Sequence, residues 1–580
     1  MLHTTQFAVD LLVWIAAAVT MGAWTTAAFI RPRRGPQRER LVGDRLLGLA
    51  RLSGLVGAGA SAVMAVLSRD LSGGYSHGES MGWCVAVGFG LASTLLTFWK
   101  HWESALYALL LQSVALVAPI AATERRVPLN HDLTGDTRMI AAVCFTLLAG
   151  TWACRLFLSA DDARDRIACF RMRLLSCVLA VTTVMADVVT AAALPGPLTD
   201  EDASWHLARA GAALVIGALC WWSSSAAASL AMAVIGMMGQ FAAASAFRAV
   251  PTENPRLAVD VAAIGYSVAD WPTLVNLVVK WRINPFFLCL AVAAVASYLW
   301  LVHRVHQQGK HWPAGRTAAW VIGWVIVVLL TSSGVGRYAP VVFSVHMFMN
   351  LGLNMLAAMV LVLGGYLTLV LQAVPPRGEQ HSAGLHEWVR TFMRSRLVAL
   401  LHHPLIALVL MTGTYYVFYL TSLFTRSLEV HWLHQLFYLH FLVSGCIFYG
   451  LIIGVDQPVH PLPHLGRLGL IIGAMPFHAF FGVILMSKTS VYAEGFLNSI
   501  GHPWMAARGL AHDQWVGGTI AWAGGEFPLA VALGALFVQW ARQDKKESDS
   551  FDQGIDSGDD ESLDAYNQML TQLAERDRRG

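Results

Sequence analysis

The stretch HWLHQLFYLHFLVSGCIFYGLIIG, residues 431–454, decides the fold class. As a helix rising about 1.5 Å per residue it reaches across a hydrocarbon core of about 30 Å. In lipid no water satisfies exposed N–H and C=O groups, so such a stretch has to be helical. Yet it carries His431, His434 and His440. A polar side chain in hydrocarbon costs a few kcal/mol, so each ring must meet protein, water or a ligand. His434 and His440 lie about 9 Å apart along the helix axis and about 120° apart around it, so their partners have to come from other helices. His431 sits at the end of the stretch, where contact with interfacial water accounts for it.

The rest of the chain is of the same kind. Of 580 residues 56% are hydrophobic and only 13% are charged, which excludes an ordinary soluble domain. The net charge of +3 is spread along the chain, so nucleic acid is excluded as a partner. The eight cysteines stand singly, without a C-x-x-C pair, and read as buried structural thiols. The first apolar run, 7–30, is too long for a signal-peptide core and reads as a retained anchor.

Apolar runs predict spans near 7–30, 46–67, 81–99, 103–123, 138–158, 174–194, 204–222, 225–247, 284–303, 316–335, 341–372, 397–420, 430–454, 466–487 and 516–540. The expectation is an all-α polytopic membrane protein of about 15 transmembrane helices, in bundles of about eight and seven. With the N-terminus outside and the C-terminus cytoplasmic, the cytoplasmic loops hold about twice as many Lys and Arg as the external ones. The expected division is a membrane module over 1–250, an external connection over 251–283, a second membrane module over 284–545 and a polar, mostly disordered tail over 546–580.

Depth sorts the polar residues of the second module. His346 and His434 fall roughly four or five residues below the external face, while Asn350, His440, His478 and Glu526 fall near the midplane. Two polar layers are therefore expected. Met347, Met349, Met355, Met475 and Met486 share the helices of His346 and His478, and thioether with imidazole suits copper, Cu(I) above all. In the first module Asp187 and Arg209 read as a structural ion pair on neighbouring helices, beside Asp10 and Arg51. His77 and His206 read as solvated.

The segments FSVHMFMNLGLNMLAAMVLVLGGYLTLVLQAVP, HHPLIALVL, HWLHQLFYLHFLVSGCIFYGLIIGVDQP, MPFHAFFGVILMS and DQWVGGTIAWAGGEFP, in that order, resemble the CtaG-type cytochrome c oxidase assembly factors over about 280–547. The resemblance implies a seven-helix membrane unit that helps assemble heme-copper oxidase, with copper and oxidase subunits as partners. Carried across residue by residue, it implies a metal-handling set of His346, His434, His440, His478, Asp513 and Glu526. One position departs: Asn350 stands where the family commonly has a second histidine. The N-terminal half is similar in helix count, position and the fragment SWHLARAGAALVIGAL to copper-resistance D (CopD) membrane domains, although the histidine-bearing helices of that family have no counterpart here.

The sequence therefore reads as a non-enzymatic, multi-pass plasma-membrane protein that handles a copper ion during oxidase assembly, with a possible copper-transport module at its N-terminus. Two other readings stand beside it. One is a heme- or quinone-linked membrane oxidoreductase, because histidines on facing helices also hold b-type haems. The other is a metal-free chaperone whose histidines serve interhelical hydrogen bonds.

Overall fold

The computed structural model describes residues 2–31, 33, 40–41, 45–70, 76–123, 129–222, 225–248, 258–378, 383–456, 462–557 and 561–578. Among them the fold is helical, with no strand beyond an isolated bridge between Arg40 and His101. Among the described residues fourteen helices are long and apolar enough to cross a membrane, or fifteen if a bent pair is one span. The bent pair is Pro404–Leu420 with Leu423–Glu429, turned by 76°. It matches the expected span at 397–420, with Pro404 restarting the helix after a break at 402–403.

The first eight spans pack through small side chains. A Cβ built on Gly150 would lie 1.8 Å from the Ala18 carbonyl oxygen, and one on Gly22 would lie 2.1 Å from Gly150. Without a hydrophobic driving force between helices in lipid, backbones gain contact by approaching closely, which only glycine allows at these positions.

The span expected at 138–158 is the helix His131–Arg155, which starts seven residues earlier, at HDLTGD. Its polar first turns stay helical because partners from the other module meet them, as described below. The span expected at 341–372 is broken. Phe343–Leu351 runs into a π-helical turn, Gly352–Ala357, then Ala358–Leu363, and restarts as Tyr366–Ala373 after Gly365 at φ +60°. Carboxylates from elsewhere cap two of its N-termini: Asp513 accepts from the amides of Phe343 (2.7 Å) and Ser344 (3.3 Å), and Asp456 from those of Leu367 (3.1 Å) and Thr368 (2.7 Å). Each negative charge meets the positive end of a helix dipole.

The helix that begins at Leu510 continues to Ser557, and Glu561–Asp577 is helical again.

The two halves touch at both ends of the bundle. At one end Arg282 binds Asp132, as detailed below. At the other, Arg171 donates to the Ala383 carbonyl at 2.6 Å and lies 5.0 Å from the Trp388 ring, which packs edge-on to Phe29 at 5.1 Å.

Candidate functional site

Two i, i+4 pairs on facing helices build a buried polar knot in the second half. His346 and Asn350 project from Phe343–Leu351, and His434 and Tyr438 from His431–Ile453. The Asn350 amide donates to His346 Nε2 at 2.9 Å and to the Tyr419 hydroxyl at 2.6 Å. His346 therefore carries its proton on Nδ1, which faces His434 Nε2 at 3.3 Å. That same nitrogen accepts from the Tyr438 hydroxyl at 2.6 Å. All five side chains are at most 5% exposed. Phe418 and Phe424 close the surroundings, with ring centroids 6.4 and 5.1 Å from that of His346.

The knot sits between two irregular turns. The π-helical turn Gly352–Ala357 follows Asn350, and a second, Val409–Gly413, precedes Tyr415 and Tyr419. Such turns place side chains out of helical register and recur at functional sites. Inside the first, Asn354 donates to the Phe441 carbonyl at 2.7 Å and the Ser444 hydroxyl at 3.1 Å. The helices can approach this closely because residue 445 is glycine; a Cβ there would lie 1.9 Å from the Asn354 carbonyl oxygen.

Of the six residues implied as a metal set, this arrangement brings together two, His346 and His434. His440 turns to another neighbour, the Thr414 hydroxyl, at 2.9 Å. His478 is buried with its ring edge-on to Tyr415 at 5.5 Å and its Nε2 without a protein partner. Glu526 is half-buried one residue past Gly525, whose Cβ would touch that of His478 at 3.0 Å. Asp513 is occupied as a helix cap. Asn350, placed by depth with the midplane group, instead joins the outer pair through His346. Among the described residues no three His, Cys, Asp or Glu side chains lie close enough to hold one metal ion.

Two imidazole nitrogens and the Asn350 side-chain oxygen are the donor atoms on hand here. Each metal–nitrogen bond is about 2.0–2.1 Å, so nitrogens 3.3 Å apart can share one ion once the His346 proton moves from Nδ1 to Nε2 and the Tyr438 hydroxyl turns away from His434 Nε2. Asn350 Oδ1, buried beside them, has no protein partner. A haem does not fit between these rings. The adjoining cavity is about 50 Å³, whereas cofactor pockets occupy roughly 300–1,000 Å³.

That cavity lies where the two halves meet. Arg282 donates from Nε to Asp132 Oδ2 at 2.8 Å and from Nη2 to Asp132 Oδ1 at 2.5 Å, and also to Asn130 Oδ1 at 3.1 Å. Burial works against the Arg282 charge, but the Asp132 carboxylate more than offsets it and raises the guanidinium pKa above its usual value. One helical turn on, Asp136 Oδ1 accepts from His431 Nε2 at 3.1 Å. His431 is thus a bridge between the modules, which corrects the expectation of a solvated interfacial ring. The cavity wall includes Asp132, Asp136, Arg282, His431, His434 and Tyr438. Asp132, Asp136 and Arg282 were not legible as site residues. The available signal was the i, i+4 pair of aspartates opening an apolar run.

In the first half, Arg209 holds Asp187 by two hydrogen bonds, at 2.9 and 2.6 Å, as expected of that ion pair. His206 is not solvated: it is 2% exposed, lies 3.0 Å from Asp187 through Nδ1 and accepts from Arg138 Nε at 3.3 Å. A carboxylate on one side and a guanidinium on the other fix this ring as neutral, with its proton on Nδ1. Arg138, expected at a helix start, lies two turns inside its helix. Asp10 pairs with Arg248. The side chain of His77 lies outside the described residues.

Residues 296–543 match the family model described as cytochrome c oxidase caa3 assembly factor (Caa3_CtaG). The match falls on the half that the five motifs single out and contains the whole polar knot. A protein of Mycobacterium leprae (strain TN) described as uncharacterized is 40% identical over 312 residues, 54% of this chain and 47% of its own length. Proteins of Mycobacterium bovis (strain ATCC BAA-935 / AF2122/97) and Mycobacterium tuberculosis (strain CDC 1551 / Oshkosh), described likewise, are each 38% identical over 312 residues with the same coverage. The chain spans about half the length of the curated relatives it matches. No solved structure matches. These matches do not confirm the copper-resistance D resemblance of the N-terminal half.

Proposed function

We propose that this protein is an assembly factor for cytochrome c oxidase in the plasma membrane, and that its second module passes a copper ion to the oxidase through His346 and His434. The carrying observation is the 3.3 Å approach of two buried imidazole nitrogens inside the segment that matches the assembly-factor family. Imidazole is a good copper ligand, and a pair without a third strong donor binds weakly enough to release its ion to a better site. The aromatic wall keeps bulk water from the rings. Asn350 orients His346 through Nε2, the nitrogen turned away from His434, as supporting residues do at metal sites, while the Tyr438 hydroxyl holds His434 Nε2 until the ion displaces it.

In this reading the ion is cargo, and no catalytic turnover takes place. The N-terminal module is a partner in the same task, because it shares the junction cavity that borders His434. The face at which the cavity lies, that of the connection between the modules, is the external one by the Lys and Arg distribution.

The test is complementation of a strain lacking the gene. His346→Ala with His434→Ala should lower the copper content of the oxidase and its activity together, while His440→Ala should leave both near wild type. Oxidase copper unchanged in the double variant contradicts the reading. A fall in the amount of oxidase with normal copper per oxidase would favour the metal-free chaperone instead.

A further inference from the structure

The junction cavity joins two groups that no motif connects: the buried aspartates of the first module and the imidazole pair of the second. We propose that the N-terminal module supplies the way into the metal site, with Asp136 as an outer station that captures a hydrated copper cation before it passes to His434 and His346. The proposal rests on the copper reading above and adds to it a residue from the half of the chain that the family model does not match.

Charge comes first. The cavity is walled by two carboxylates, Asp132 and Asp136, and one guanidinium, Arg282. Arg282 is taken up by both oxygens of Asp132. The Asp136 carboxylate is left with a hydrogen bond from His431 at Oδ1, and its Oδ2 has no protein partner. Asp136 is 3% exposed, so this is an unsatisfied buried oxygen on a cavity wall. A buried carboxylate oxygen without a donor is costly unless water or a cation meets it.

A cavity of about 50 Å³ takes a few water molecules, since about 10–15 Å³ suffices for each. It is therefore large enough for a partly hydrated ion and too small for an organic cofactor. The same wall carries His431 and His434, and His434 is in contact with His346. An ion drawn to the hard carboxylate thus finds softer imidazole nitrogens one step deeper, which favours transfer inward over retention. The Asp136–His431 contact links the two modules, so the access point exists only when both halves are docked.

The test uses the full-length protein in lipid nanodiscs under anaerobic conditions. Cu(I) is offered as the cationic complex of an uncharged chromophoric ligand weak enough to lose the ion to a two-imidazole site, and its loss to the protein is followed by absorbance at low and high salt. Capture by a charged cavity predicts a wild-type loading rate that falls as ionic strength rises, with Asp136→Asn loading about tenfold more slowly and with less salt dependence. The final copper stoichiometry of Asp136→Asn should equal wild type, and Asp136→Glu, which keeps the charge, should load at close to the wild-type rate. Equal rates for wild type and Asp136→Asn overturn the proposal and leave the copper reading standing. A wild-type rate indifferent to salt also overturns it, even if Asp136→Asn does not fold. Wild-type protein that takes up no copper removes the copper reading itself, and this proposal with it.

Discussion

Asp513 reaches from the last spanning helix to accept the Ser344 hydroxyl at 2.5 Å and the Phe343 amide at 2.7 Å, so it holds the start of the helix that carries His346. A capping role and a metal-ligand role make opposite forecasts for one substitution. Asparagine caps helices about as well as aspartate but is a poor metal ligand. Asp513→Asn should therefore keep copper binding and oxidase assembly near wild type. Asp513→Ala should lower stability in detergent by about 1–2 kcal/mol and impair assembly through the displaced helix start. Paired thermal unfolding and copper titration of the two variants check this; loss of copper in Asp513→Asn would return Asp513 to the ligand set.

Asn350 donates to both His346 and Tyr419, so its removal strands two buried polar groups. Asn350→Leu should destabilise the protein by roughly 1–3 kcal/mol for each group left unpaired. Tyr419→Phe, which removes one of those partners, should cost less. Thermal unfolding of the single and double variants gives the coupling, and additive losses would show that the network does not act as a unit.

At the junction Asp132 depends on Arg282. Arg282→Met leaves a buried carboxylate uncompensated and should cost about 3–5 kcal/mol, whereas Asp132→Asn with Arg282→Met should recover much of the loss. Unfolding followed by separate reporters in the two halves is the measurement. If Arg282→Met unfolds like wild type, the ion pair does not hold the modules together.

Gly445 and Gly450 lie on one helix but in different surroundings. A Cβ on Gly445 would strike the Asn354 carbonyl oxygen at 1.9 Å, while Gly450 has nothing within 4 Å. Gly445→Ala should push the two helices apart at the polar knot and greatly lower folded yield. Gly450→Ala should be neutral or stabilising by about 0.5–1 kcal/mol. Equal yields for the two variants would contradict the close approach.

The membrane class and nearly every span were legible, because long apolar runs leave the backbone no alternative to helix. The bent span at 404–429 and the early start at His131 were not. The early start depends on polar residues whose partners are remote in sequence, such as Asp132 with Arg282, and hydropathy carries no information about those. Depth counting paired His346 with His434 correctly because both count from nearby helix starts. It failed for His440 and Asn350 because depth says nothing about rotation around the helix axis. His206 and His431 were misread for one reason: a position near a helix end suggests water, yet at each a carboxylate from another helix, Asp187 or Asp136, fills the place that water would take.

The most direct test of the account is the copper stoichiometry of the purified, full-length protein under reducing, anaerobic conditions, wild type against His346→Ala with His434→Ala and against His440→Ala with His478→Ala. One copper ion per chain is expected in wild type, none in the first double variant, and one retained in the second. Copper held by the protein after both His346 and His434 are removed, or lost only when His440 and His478 are, would contradict it.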